Sequence, residues 1–396
     1  MAHAKIDEAL ELFYQGETSG AEVILQEVGG GKLEPPAGLQ PLDAAAFWEG
    51  VGGIALAREK APDAVNAFRK MIELEEKGGA DANGHATSYA KLGEALARTD
   101  KLDDAIEAFN TAAAKKVACG APPESQFNVT YRYAECMFRS GRPKEAGDQF
   151  AKAVKLAEQI GVDDASMSTL TLYLADSIKQ KIAPMQASVK VQKGMQGASA
   201  PPQIAILEKQ LEGEFQQIAE LYRKAGDLAE KAKMPADYKL QIQRNMAEAY
   251  HDAGRFVKGV MQRKKLIQQA EANKVAPLEI AYMLHGLAES HKEMGQMPEA
   301  VEAYRKSIRL KEQQNADKVS QGKSWYALGE VLAGGEKWDQ AIEALTKARE
   351  LEEASGATDE NHKLRLKKAW HTLGLVLEAA GKKEEGKAAQ EKAESI

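Results

Sequence analysis

Leu328-Gly-Glu-Val-Leu-Ala333, followed by Gln340-Ala-Ile-Glu-Ala-Leu345, decides the reading of this chain, because the same pair of phrases returns elsewhere. Leu92-Gly-Glu-Ala-Leu-Ala97 precedes Asp104-Ala-Ile-Glu-Ala-Phe109, and Leu287-Ala-Glu-Ser-His-Lys292 precedes Glu299-Ala-Val-Glu-Ala-Tyr304. Each copy has a small residue, a second small residue 12 positions later, and a large apolar residue four beyond that. The first small position recurs at Ala9, Gly52, Gly93, Ala134, Ala175, Ala247, Ala288, Gly329 and Gly374. The second recurs at Ala21, Ala64, Ala105, Ala146, Ile218, Gly259, Ala300, Ala341 and Gly386. The usual interval is 41 residues, so nine repeats cover nearly all of the 396. A fixed period of this size marks a stacked array rather than separate domains.

Each repeat reads as two helices. Trp325, Leu328, Gly329 and Leu332 fall on one face of the first, and Ala341, Leu345 and Ala348 on one face of the second. Alanine or glycine where the two cross lets their backbones approach. The turn between them carries Gly16, Gly141, Gly254, Gly295 or Gly381, or a polar substitute such as Asp100, which suits a helix end. One helix pair cannot bury both of its faces, so the pairs must stack. An all-α solenoid of nine antiparallel helix pairs is the expected fold.

These features resemble the tetratricopeptide repeat. The likeness includes an aromatic opening the first helix (Trp48, Tyr89, Trp325, Trp370), the Leu-Gly or Leu-Ala pair, the turn glycine and the alanine after it. The family's usual period is about 34 residues, and its closing proline is mostly missing here. The extra seven residues amount to about one turn on each helix, or one turn and a longer connector. The longer period, with Ala157-Glu-Gln-Ile-Gly-Val-Asp-Asp-Ala165, is similar to kinesin light chains, Pins-type adaptors and some bacterial regulators. The resemblance implies a right-handed superhelix whose concave wall is made by the first helices.

The fifth repeat is interrupted. Its small positions, Ala175 and Ile218, lie 43 apart, so 31 residues are inserted between its helices. Pro184, Gly194, Gly197 and Pro201-Pro202 predict a loop over 181–202, dividing a half-array at 1–180 from another at 203–396. Ile204, Leu207, Leu211, Phe215 and Ile218 then recur at helical spacing, so the second helix should start about four turns early. Its first turns would need cover, either the loop folded back or a partner or second copy docked on the stripe.

Residues one past the first small position point away from the packing face. They are Glu94, Glu135, Asp176, Glu248, Glu289 and Glu330 in six consecutive repeats, against Leu10, Gly53 and Leu375 in the others. Lys91, Arg98, Arg132, Arg139 and Arg244 lie at helical neighbours of the early carboxylates. Pairing should weaken at Glu289, beside His285 and Lys292, and at Glu330. This column either keeps a charged wall soluble or contacts an extended peptide of mixed or basic charge. Tyr282, His285, Tyr326 and His371 fall on the same wall as a candidate recognition pocket or as ordinary lining, and His251 is placed to approach His285.

Composition narrows the function. Net charge is −6, with 22 basic and 28 acidic residues in 1–198 and 31 of each in 199–396. Neither half has the cationic surplus that nucleic acid or anionic membrane requires. Arg263-Lys264-Lys265 and Lys367-Lys368 read as solvated helix faces. No apolar run reaches a membrane span, and the start lacks a signal pattern. Cys119 and Cys136 form neither a disulfide framework nor a metal set, and the expected setting is cytoplasmic. Gly29-Gly30-Gly31-Lys32 lacks the context of a phosphate loop, and no catalytic motif or cofactor site is evident. The expectation is a non-catalytic protein-binding scaffold. Its alternatives are a peptide-responsive regulator hinged at the fifth repeat and a self-assembling element, including a homodimer through the insertion.

Overall fold

Each repeat folds as two antiparallel helices because each carries two apolar stripes separated by a turn residue. The computed structural model describes residues 2–196, 202–356 and 358–396. The first helices are α1 (Ala2–Tyr14), α3 (Pro41–Ala57), α5 (Ala82–Arg98), α7 (Pro123–Arg139) and α9 (Asp164–Gln196), then α11 (Ala236–Asp252), α13 (Pro277–Glu293), α15 (Lys318–Gly334) and α17 (Glu360–Ala379). Their partners are α2 (Thr18–Val28), α4 (Ala61–Gly78), α6 (Leu102–Ala118), α8 (Pro143–Ile160) and α10 (Pro202–Lys231), then α12 (Phe256–Ala272), α14 (Met297–Gln313), α16 (Trp338–Glu353) and α18 (Lys383–Glu394). The chain divides into two compact halves, Met1–Pro184 and Met185–Ile396.

The long period resides in the helices. Both α13 and α14 have 17 residues, leaving only 294–296 and 314–317 for the two connections. The turn residues behave as their chemistry dictates. Gly16, Gly141, Gly254, Gly295 and Gly381 adopt φ between 66° and 88°, and Asp100 takes 59°. Glu59 and Glu336 do the same at 59° and 57°, although a side chain in this region costs about 1–2 kcal/mol.

The crossings explain the paired small residues. A Cβ on Gly52 would stand 2.5 Å from the Phe68 ring, and one on Gly329 would stand 2.6 Å from Leu345. Phe68 and Leu345 are the large residues four past the second small position, so each fills the space its glycine leaves. In the second half, Leu287, Tyr304, Leu328, Leu345 and Leu377 belong to one core running through successive repeats. At the end of the chain, α18 buries only Gly386, Ala389 and Ala393, as a polar cap should.

The fifth repeat departs from the sequence expectation. Residues 181–196 are helical rather than a loop, since α9 runs 33 residues with Pro184 inside it; 197–201 lie outside the described residues. An interior proline removes a hydrogen bond and costs about 3 kcal/mol. Ile182 and Val189, two turns apart, are nevertheless only 2% and 6% exposed, and their burial opposes that cost. The early start of α10 at Pro202 matches the pattern. Its stripe is closed, however: Ile204, Leu211 and Phe215 are buried and Leu207 half-buried by the chain itself. The stripe therefore offers no open docking surface. Among the described residues, Val191 on α9 and Ile206 on α10 are large apolar groups left exposed here.

Candidate functional site

The column of carboxylates occupies one repeated environment. Glu94, Glu135, Asp176, Glu248, Glu289 and Glu330 are each half-buried, with a buried small residue before them and two buried residues after. Helical geometry produces this, since one step of ~100° moves a side chain from the packing face to the edge of the open wall. In the ninth repeat the equivalent Leu375 is exposed.

Partners of these carboxylates change along the chain. Glu94 pairs with Arg98 at 2.9 Å and Glu135 with Arg132 at 3.2 Å, both within one helix. Arg139 instead reaches back to Asp100 at 3.2 Å, and Arg244 reaches forward to Glu279 at 2.9 Å rather than closing on Glu248. Asp176 and Glu248 are engaged as well. The expected weakening of pairing at the later positions is corrected by the structure. Glu289 accepts the Tyr304 hydroxyl, and Glu330 pairs with Lys292 of the preceding first helix at 2.9 Å. Both partners come from other helices, where counting three and four residues along one helix cannot find them.

The histidines and aromatics do not converge on one pocket. His285 places Nδ1 3.0 Å from Ser324 Oγ and meets the Tyr304 ring edge-on at 5.3 Å. Burial, then the nearby Lys311 ammonium, lowers its pKa to about 4. His251 turns to Ser290 at 3.1 Å and to Phe256, so the expected approach of His251 to His285 is replaced by two separate serine contacts. Burial lowers the His251 pKa too. The Tyr326 hydroxyl is 2.9 Å from Thr372 Oγ1, and burial pushes its pKa up to about 12. Tyr282 is 41% exposed, with the Lys311 ammonium 4.8 Å from its ring centre. His371 is exposed. Among the described residues, no three His, Cys, Asp or Glu side chains are grouped to hold a metal ion. Nor is any described helix long and apolar enough to cross a membrane.

Among the described residues, hollows open on the first-helix wall in both halves. In the first half, α1, α3, α4 and α5 line about 280 Å³, with Phe13, Leu56 and Phe68 as apolar lining and Glu49, Lys91, Glu94 and Arg98 as charged lining. Glu49 accepts from both Lys91 and the Tyr14 hydroxyl, and Lys91 also donates to Tyr14 at 2.8 Å. In the second half, about 350 Å³ lies between α15, α16, α17 and the end of α9.

Sequence reasoning missed charged groups that second helices place against the first helices. Arg263 is not on a solvated face: its guanidinium lies over Gly286, and burial lowers its pKa against the pull of Glu248 and Glu289. Lys264 and Lys265 are exposed, as expected of a solvated face. Lys311 is 2% exposed and donates to Ser324 Oγ at 2.8 Å and the Ser320 carbonyl at 3.1 Å. A signal for it existed. Eleven residues past the second small position come Glu75, Lys116, Ala157, Ala229, Ala270, Lys311 and Glu352, and all seven are buried.

Stacked pairs with a polar first-helix wall define the class as a helical-repeat solenoid. Profiles of the tetratricopeptide repeat match residues 90–159, 279–354 and 367–396. The matched stretches are tetratricopeptide repeats set on the 41-residue period of the sequence. Among solved structures it is similar to BtubC (BKLC) from P. vanneervenii, with 18% identity, 64% of this chain and 90% of that chain covered, and a TM-score of 0.47. It is similar to the apo form of RapI, with 12% identity, coverage of 79% and 98%, and a TM-score of 0.45. A Rap protein complexed with competence and sporulation factor matches at 12% identity, coverage of 100% and 97%, and a TM-score of 0.37. No curated protein matches the chain.

Proposed function

We propose that the chain is a non-catalytic scaffold that holds an extended peptide or a partner's helix along its first-helix wall. The observation that carries this reading is the hollow between α1, α3, α4 and α5. Phe13, Leu56 and Phe68 can receive an apolar side chain, while Lys91, Glu94 and Arg98 meet the polar groups flanking it. Glu94 and Arg98 are 39% and 50% exposed, so they remain within reach of a ligand even while paired. Two free thiols, one of them the exposed Cys119, suit a cytoplasmic setting.

Affinity capture with the full chain beside a Glu94→Lys/Arg98→Glu variant, followed by binding of the captured partner's segments, tests the reading. Partners lost only with the variant support it; identical recovery with unchanged affinity removes it. A second reading, a peptide-responsive regulator, is favoured by Pro184, which lies inside α9 where the two compact halves meet in sequence. Solution scattering with and without a bound peptide separates the two. Changed dimensions support the regulator, and unchanged dimensions support the rigid scaffold.

A further inference from the structure

The hollow in the second half has a charge that the carboxylate column does not suggest. Its lining includes Lys190, Lys323, Arg365 and Lys368 against the single carboxylate of Glu352. Glu352 is 4% exposed and already committed, taking Arg365 Nε at 2.8 Å and facing His362 Nδ1 at 3.3 Å. Lys190, Lys323 and Lys368 are exposed and make no ion pair among the described residues. The hollow therefore concentrates uncompensated positive charge in a chain whose net charge is −6.

Lys190 makes the arrangement particular to this chain. It lies on the part of α9 that the insertion adds, beyond the length of an ordinary first helix. The inserted segment thus supplies one wall of the hollow, and α15, α16 and α17 supply the others. From these observations we propose that this hollow binds clustered carboxylate side chains of an acidic peptide segment, with Lys190, Lys323 and Lys368 as the ligating cations. The proposal rests on the peptide-binding reading of the first-helix wall and names the chemistry of one stretch of the ligand.

The rest of the wall argues against a long polyanion. On α15, Glu330 lies two turns beyond Lys323, ~10 Å along the helix, and Glu289 lies on the preceding first helix. A nucleic acid running along the wall would meet these carboxylates after leaving the lysines. A peptide changes its charge from residue to residue and can match both. Tyr326, half-buried between the two regions and tied to Thr372, offers a flat apolar surface to the intervening backbone.

The test uses the full chain and a fluorescein-labelled hexaglutamate peptide followed by anisotropy. Hexalysine, inorganic phosphate and a single-stranded oligonucleotide serve as competitors. Hexaglutamate binding that weakens about tenfold in Lys323→Ala/Lys368→Ala and about threefold in Lys190→Ala is the expected result. All three lysines are exposed, so unchanged helical circular dichroism is expected as well. Binding that is absent, or indifferent to these substitutions, overturns the proposal. Equal displacement by phosphate makes this a small-anion site, and equal displacement by the oligonucleotide makes it a nucleic-acid site; either also overturns it. A captured partner that needs Glu94 and Arg98 but none of these lysines leaves the scaffold reading standing while this proposal falls.

Discussion

The second and seventh repeats place opposite charges at the same buried position. Glu75 on α4 accepts the Ser88 hydroxyl at 2.7 Å, and Lys311 on α14 donates to Ser324 at 2.8 Å. The two serines hold the same register on the following first helix. A hydroxyl both donates and accepts, so one backbone arrangement serves either sign. The surroundings then differ. His85 approaches Glu75 at 3.9 Å, and burial raises the carboxyl's pKa. Lys311 has Lys323 nearby, and burial lowers its pKa to about 8. The repeat determines where a buried polar group sits, and its sign determines what the wall in front of it can attract.

Removing the serines puts that comparison at greatest risk. Ser324 serves both Lys311 and His285, whereas Ser88 serves Glu75 and its own helix. Ser324→Val should therefore destabilise by about 3 kcal/mol and Ser88→Val by about 1–2 kcal/mol. Urea midpoints measure both, and equal losses would dissolve the distinction. Lys311→Met should stabilise by about 1–2 kcal/mol, because it removes a buried cation that forms no ion pair among the described residues. A lower thermal midpoint in that variant would show that the ammonium earns its place.

Titration sharpens the contrast by sign. The Lys311 pKa falls from 10.5 to about 8 on folding, so between those values the unfolded chain binds more protons and stability should rise with pH. Lys311→Met should remove that rise. For Glu75 the folded pKa is raised, so the folded state holds the extra proton and stability should gain as pH falls below the raised value toward 4.5. Glu75→Gln should flatten that contribution. His285 opposes it from the other half. Its pKa falls from 6.5 to about 4, so stability should decline as pH drops between them, and His285→Gln should shrink the decline. Stability measured at closely spaced pH values reads all three.

The smallest effect concerns the turns that the halves share. Asp100→Gly and Glu336→Gly each relieve a left-handed side chain and should add about 0.5 kcal/mol, net of glycine's entropy. Unequal gains would mean that the two turns are held differently by their repeats.

Much of the array could be read directly from residue order. The crossings of Gly52 under Phe68 and Gly329 under Leu345, the turn glycines and the early start of α10 follow from spacing, because helical geometry converts spacing into faces. The carboxylate column was legible for the same reason. Its partners were not: Lys292 meets Glu330 and Tyr304 meets Glu289 only because separate helices stack at one particular register. The helical course of 181–196 was hidden too, since local proline and glycine signals pointed to a loop while burial of Ile182 and Val189 favoured helix.

Residue order thus carried the repeat, its period and the direction each first-helix residue faces, all consequences of local geometry. The pairing of charges, the closing of the Ile204–Phe215 stripe and the gathering of Lys190 with Lys323 and Lys368 came from packing. Such contacts join residues far apart in the chain, and their energies depend on burial that no local pattern records.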